Sequence, residues 1–187
     1  MRSALPSIPT GAHDCDLWVA EVAALTRPDR VVWYYDTPEE RAALLAQSVA
    51  DGKLIKLDPN RRPGSYLARS DAGDVARVEA RTFICSESEA DAGPTNNWRD
   101  PQSMRTELAA RFAGAMRGRT MFVVPFSMGV ADSSLARYGL QVTDSAYAAL
   151  SMGMMTRVSR DVRTRIDEGA HWVPTVHSVS YRSNAYL

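Results

Sequence analysis

The chain has 187 residues, 45% of them hydrophobic and 24% charged, a length and balance that suit one globular domain with a real core. Its 22 basic and 22 acidic residues cancel to a formal net charge of zero, which argues against a protein drawn to nucleic acid or to a membrane surface by its overall field. No apolar run approaches the ~20 residues of a membrane-spanning helix, and Met1-Arg2-Ser3-Ala4-Leu5-Pro6 lacks the apolar centre of a signal peptide.

Two cysteines, Cys15 and Cys85, make no disulfide framework, so a reducing compartment is expected, and with it a soluble cytoplasmic protein. All basic residues except Lys53 and Lys56 are arginines. GC-rich coding explains that skew, although the planar guanidinium fork also suits carboxylates and phosphates.

Residues 1–13 read as a loose leader, with two prolines, a glycine and small residues. Asp14 or Asp16 can cap a helix through Leu17, Trp18, Ala20, Val22, Ala24 and Leu25 that ends at Arg27-Pro28. Val31-Val32-Trp33-Tyr34-Tyr35 is β-branched and aromatic, a short buried strand. Thr37-Pro38-Glu39-Glu40 combines a capping hydroxyl, a first-turn proline and acids facing the helix dipole. The helix it opens has an expected apolar stripe of Ala42, Leu45, Ala46 and Val49 and stops at Gly52.

Leu54, Ile55 and Leu57 read as a strand before the turn cluster Asp58 to Gly64, and Tyr66-Leu67-Ala68 and Thr82-Phe83-Ile84-Cys85 as two more apolar runs. Between these lies Asp74-Val75-Ala76-Arg77-Val78-Glu79-Ala80-Arg81, whose charges must face water or converge on something. A polar, turn-rich loop spans Ser86 to Asn97, and Asp100-Pro101 starts a helix through Met104, Leu108, Arg111 and Phe112. Thr120 to Phe126 is the clearest buried strand, and Leu140-Gln141-Val142-Thr143 alternates like a half-exposed one. Asp144 or Ser145 caps a helix carrying Tyr147, Leu150, Met154 and Met155; a charged helix, Ser159 to Asp167, leads to strand-like His171 to Val173 and Thr175 to His177.

Interleaved strands and helices predict an α/β domain, α+β-like, with a mixed sheet flanked by helices over residues 14–179. Residues 180–187 form an irregular tail with nothing after them to cover the last strand, so the chain reads as cut short.

Few residues propose chemistry unaided. Gly52-Lys53-Leu54 lacks the glycines and hydroxyl of a phosphate-binding loop. His13, Cys15, His171 and His177 have no partners at metal-ligand spacing. Ser127-Met128-Gly129 follows the strongest strand without a Gly-x-Ser-x-Gly elbow, so Ser127 reads as a turn residue. Met152, Met154 and Met155 read as helical core filler, and Arg117 and Arg119 as a solvated basic turn or an anion contact. Arg77 has small neighbours that would let a ligand come close.

Longer stretches carry a resemblance. Ser65 to Asp71, Asp74 to Glu79, Asp91-Ala92-Gly93-Pro94-Thr95-Asn96-Asn97-Trp98, Met116 to Gly129, Val142 to Tyr147, Met154 to Arg157 and Val176 to Val179, in that order, resemble the N-terminal half of GTP-dependent phosphoenolpyruvate carboxykinase. Gly153 and Val130 stand where that family often has Arg and Pro. The resemblance implies a cytosolic enzyme of gluconeogenesis, monomeric, that converts oxaloacetate and GTP into phosphoenolpyruvate, carbon dioxide and GDP. Such an enzyme uses Mn²⁺ at the site and Mg²⁺ with the nucleotide.

It implies that Arg77 binds the substrate carboxylate and that Glu79 lies near a mobile lid. It places the phosphate-binding loop, manganese ligands, guanine pocket and lid beyond this sequence, so that no catalytic or metal residue, and no bound GTP or Mn²⁺, is expected for these residues alone. The rival expectation is a non-catalytic module that binds a small dicarboxylate or a protein partner.

Overall fold

The computed structural model describes residues 5–6, 15–69 and 79–179. The expected leader and tail, and the stretch that includes Arg77, lie wholly or largely outside them. One described piece of the leader is held: the Pro6 carbonyl accepts a hydrogen bond from Arg105 Nη2 at 2.9 Å.

The main sheet grows around β6 (Thr120–Met128), which pairs antiparallel with β7 (Arg137–Thr143) through the hairpin 129–136. β1 (Arg30–Trp33) lies parallel to the first half of β6, and β9 (Trp172–His177) parallel to β7. The two-residue β8 (Arg157–Val158) pairs with Phe126 and Ser127. With β7 on one side of β6, β1 and β8 follow one another along the other. Val123 accepts from Tyr34 N on that side, so Pro125 turns its missing N–H into the gap between them, where a proline costs the ladder nothing. The sheet is mixed, as expected.

Alternate residues of β6 serve two cores. Met121 and Val123 point to α1 (Cys15–Thr26) and α5 (Arg160–Asp167), together with Leu140, Val142 and Trp172. Phe122 and Val124 point to α2 (Pro38–Ala50) and α4 (Ala146–Met155), together with Tyr34, Leu44 and Leu54. Burial on both faces explains why β6 reads as a continuous apolar run instead of an alternating one. At Gly139 of β7, a Cβ would strike the ring of Phe126 opposite.

Four expectations are corrected. β1 is an edge strand, not a buried one, and Val31 is exposed. α2 buries Leu44 and Ser48, while Ala42 and Ala46 face water; Ser48 can be buried because its hydroxyl donates to the Leu44 carbonyl at 2.7 Å. β7 is central, with Leu140, Val142 and Thr143 buried. On α4 the buried residues are Ala146, Ala149 and Leu150, whereas Tyr147, Met154 and Met155 are exposed and are not core filler.

The expected caps of three helices are found: Thr37 forms a reciprocal capping box with Glu40, Asp100 caps α3 (Pro101–Phe112), and of Asp144 and Ser145 it is Ser145 that caps α4. Ser159, expected only as the start of a charged helix, caps α5. For α1, Asp16 lies within the first turn and is not the cap, and Asp14 lies outside the described residues. β2 (Leu54–Lys56) and β3 (Tyr66–Ala68) form a separate antiparallel hairpin. Among the described residues no helix is long and apolar enough to cross a membrane.

Candidate functional site

Apart from the main sheet, β4 (Phe83–Ile84) and β5 (Asn97–Trp98) form a short parallel pair. A single 3-10 turn, Glu79–Arg81, precedes β4, and a second, Glu89–Ala92, lies in the connection to β5. Two residues of strand bury too little to hold such a connection, and side chains supply the rest. Asn97 Nδ2 donates to the carbonyls of Glu79 at 2.8 Å and Thr82 at 3.2 Å. Asn96 Nδ2 donates to Ala92 O at 2.7 Å, and Trp98 Nε1 to Ser86 O at 3.0 Å. Gly93, at φ 81, ends the second turn in a conformation that few residues other than glycine adopt.

These contacts wall a cleft of about 400 Å³ lined by Glu79, Thr82, Thr95, Asn96 and Asn97. Among the described residues of that lining Glu79 brings the one ionisable side chain; the hydroxyls and carboxamides around it donate and accept without charge. The wall therefore suits a polar ligand or a polypeptide backbone. On the same strand pair, the Arg99 guanidinium, just after β5, lies 5.7 Å from the Phe83 ring centroid of β4 and pairs with Glu107 at 2.6 Å. Glu107 also takes a hydrogen bond from Arg111, which chiefly holds its carboxyl below the usual range.

Of the residues singled out from sequence, Glu79 is exposed at this cleft and Arg77 lies outside the described residues. Asn96 and Asn97 were not singled out for a role; a polar Thr-Asn-Asn run just before a tryptophan was the available signal. The other candidates are elsewhere. Ser127 lies within β6, fully buried, and is not a turn residue; its hydroxyl faces the carbonyls of Met128 and Gly129 at 3.5 Å.

Cys15 is buried and its thiol donates to Asp167 Oδ1 at 3.2 Å; burial first, and that bond second, push it up to about 12. His177 Nδ1 lies 2.8 Å from Thr143 Oγ1, while His171 is exposed before β9. Arg119 is no solvated basic residue: it is paired at 2.7 Å with the buried carboxylate of Asp144. Among the described residues, no three His, Cys, Asp or Glu side chains come together as a metal shell.

Comparison with known proteins gives these motifs a family. Residues 17–185 match the phosphoenolpyruvate carboxykinase N-terminal domain. The chain is 49% identical over 171 residues to the GTP-dependent phosphoenolpyruvate carboxykinase of Corynebacterium kroppenstedtii, covering 91% of this chain and 27% of that protein. Against the enzyme of the same name from Corynebacterium jeikeium, it is 44% identical over 179 residues, 96% of this chain and 30% of the relative. For that of Renibacterium salmoninarum the figures are 48% over 163 residues, 87% and 27%. The chain thus spans less than a third of the length of these relatives, and it belongs to the phosphoenolpyruvate carboxykinase N-terminal domain family.

Proposed function

We propose that the chain is the substrate-side N-terminal part of a GTP-dependent phosphoenolpyruvate carboxykinase, a cytoplasmic lyase of gluconeogenesis. Such an enzyme converts oxaloacetate and GTP into phosphoenolpyruvate, carbon dioxide and GDP. The observation that carries the reading is the family match over residues 17–185, with relatives of that name at 44–49% identity.

Within this reading Arg77 is the carboxylate grip. A guanidinium fork donates two parallel hydrogen bonds to a carboxylate, which fixes the substrate's orientation for loss of carbon dioxide and for phosphoryl transfer. Glu79, exposed at the rim of the cleft, supplies a carboxylate for a closing lid to meet. Manganese, where the reaction uses it, supplies charge stabilisation at the transferred phosphoryl group. The described residues offer no shell for it. The 187 residues by themselves are expected not to turn over oxaloacetate and GTP.

Titration calorimetry with oxalate, a compact dicarboxylate, tests the assignment. The chain should bind it, and Arg77→Ala should weaken binding by about tenfold or more, the value of a charge-assisted bidentate pair. Equal binding by both forms would remove Arg77 as the grip.

A further inference from the structure

Five large apolar side chains gather, uncovered, at one end of the main sheet. Met128 ends β6, and the hairpin that follows it carries Val130 and Leu135, the latter 76% exposed. Arg157 of β8 pairs with Ser127, which brings the C-terminal end of α4 to the same place, with Met154 and Met155 71% and 68% exposed.

The hairpin tip is held in shape. Asp132, at φ 67, accepts a hydrogen bond from Arg165 Nε of α5 at 2.6 Å, and Arg165 also donates to Glu168 at 3.0 Å. The Asp132 N–H reaches Tyr138 Oη at 3.4 Å. Gly129, at φ 85, turns the chain so that the Leu135 carbonyl would lie 3.8 Å from a Cβ placed there. A tip fixed from α5 has little freedom left to lose when a partner covers it, which favours binding.

The rim is basic. Arg137 of β7 and Arg157 of β8 are exposed and form no salt bridge among the described residues. Methionine and arginine are among the residue types enriched in protein interfaces.

The relatives carry more than two thirds of their length outside the part that this chain matches. We propose that this face is the docking surface for that further polypeptide, seated through an apolar centre with acidic groups at its edge. The proposal rests on the reading of the chain as the N-terminal part of such an enzyme.

The part of the Corynebacterium kroppenstedtii relative that follows its matched region, produced separately, is the probe. Sedimentation velocity should show a 1:1 complex with the 187-residue chain. Leu135→Glu combined with Met154→Glu should lower the affinity about 100-fold, as charges placed in the centre of an interface do. Arg137→Glu should lower it less and reduce its dependence on salt.

Ile55→Glu, an exposed position on the separate β2–β3 hairpin, should leave the affinity unchanged. All four substituted side chains are exposed, so the fold should persist, and far-ultraviolet circular dichroism checks that it does; Met154→Glu alone serves if the double variant does not fold.

Absence of a complex, or a complex indifferent to these charges, would overturn the proposal. So would self-association of the chain that the double variant abolishes, since the face would then serve a second copy. Oxalate binding that depends on Arg77 without any complex leaves the reading of the chain standing and removes the docking face. Oxalate binding indifferent to Arg77 counts against the reading itself.

Discussion

The Cys15 thiol and the Tyr34 phenol are both held protonated by their surroundings. Cys15 rises from an ordinary 9.0 to about 12 through burial and its bond to Asp167. Tyr34 rises too, through burial and the hydrogen bond it donates to the Asp36 carboxylate. The unfolded chain releases these protons at lower pH than the folded one, so it binds fewer protons across the interval and stability must fall as pH rises through it. Below pH 9.0 the contribution of Cys15 is complete; between 9.0 and about 12 it is lost. Urea unfolding followed across that range should show a midpoint that falls steadily, with Tyr34 adding to the slope in its upper part. Cys15→Val should flatten the lower part. The same slope in the variant would show that Cys15 is not its source. Alkylation offers a second readout: exposed Cys85 should react readily, and buried Cys15 should not until the chain unfolds.

Helix α4 shows how small residues set the approach of an element. Ala146 and Ala149 let it lie close on the sheet, and Gly153 faces the loop after β1, where a Cβ would stand 2.7 Å from Asp36 Oδ1. Asp36 cannot swing aside freely, because Tyr34 and Arg41 both donate to its carboxylate and its backbone sits at φ 57. Gly153→Ala should gain about 1 kcal/mol of helix propensity and lose about 1–3 kcal/mol to overpacking. The expected net is a lower melting temperature. In an Asp36→Gly background, which suits that backbone angle and removes the carboxylate, the same change should become neutral or stabilising. An equal penalty in both backgrounds would place the strain elsewhere.

The exposed face of α4 was not legible beforehand, because Ala, Tyr, Leu and Met surround this helix almost completely and periodicity selects no side. Caps were legible at Thr37, Asp100 and Ser145, since each acts within three residues of itself. So was β6, whose apolar run follows from burial on both faces. The cleft was legible in part. Glu79 stands in a motif, but Asn97 reaches its carbonyl partners across 15 and 18 residues of irregular chain, and no local pattern announces such a contact.

At the scale of the whole molecule, one buried ion pair ties together strands that are far apart in the chain. The Asp144 side chain, with no exposed surface, follows β7. Its Oδ2 accepts from Arg119, just before β6, at 2.7 Å and from Ser178, just after β9, at 2.8 Å; its Oδ1 accepts from the Val179 N–H at 2.8 Å. Arg119 Nη1 also donates to the Val179 carbonyl at 3.0 Å. Among the described residues no strand pairs with the outer edge of β9, which also carries a proline, so this clamp does for its end what a further strand would otherwise do. Arg119→Ala would leave the carboxylate buried without its cation, a change that costs about 3–5 kcal/mol. Asp144→Asn added to it should recover part of that loss, because the stranded charge disappears while one acceptor remains. Urea unfolding measures the two energies, and amide exchange at Val179 and along β9 locates them. If the clamp joins β9 to the rest of the sheet, exchange in β9 should quicken in Arg119→Ala well before exchange in β6 does. Equal quickening everywhere would mean that the sheet opens as one unit and that the pair stabilises it without holding its edge in place.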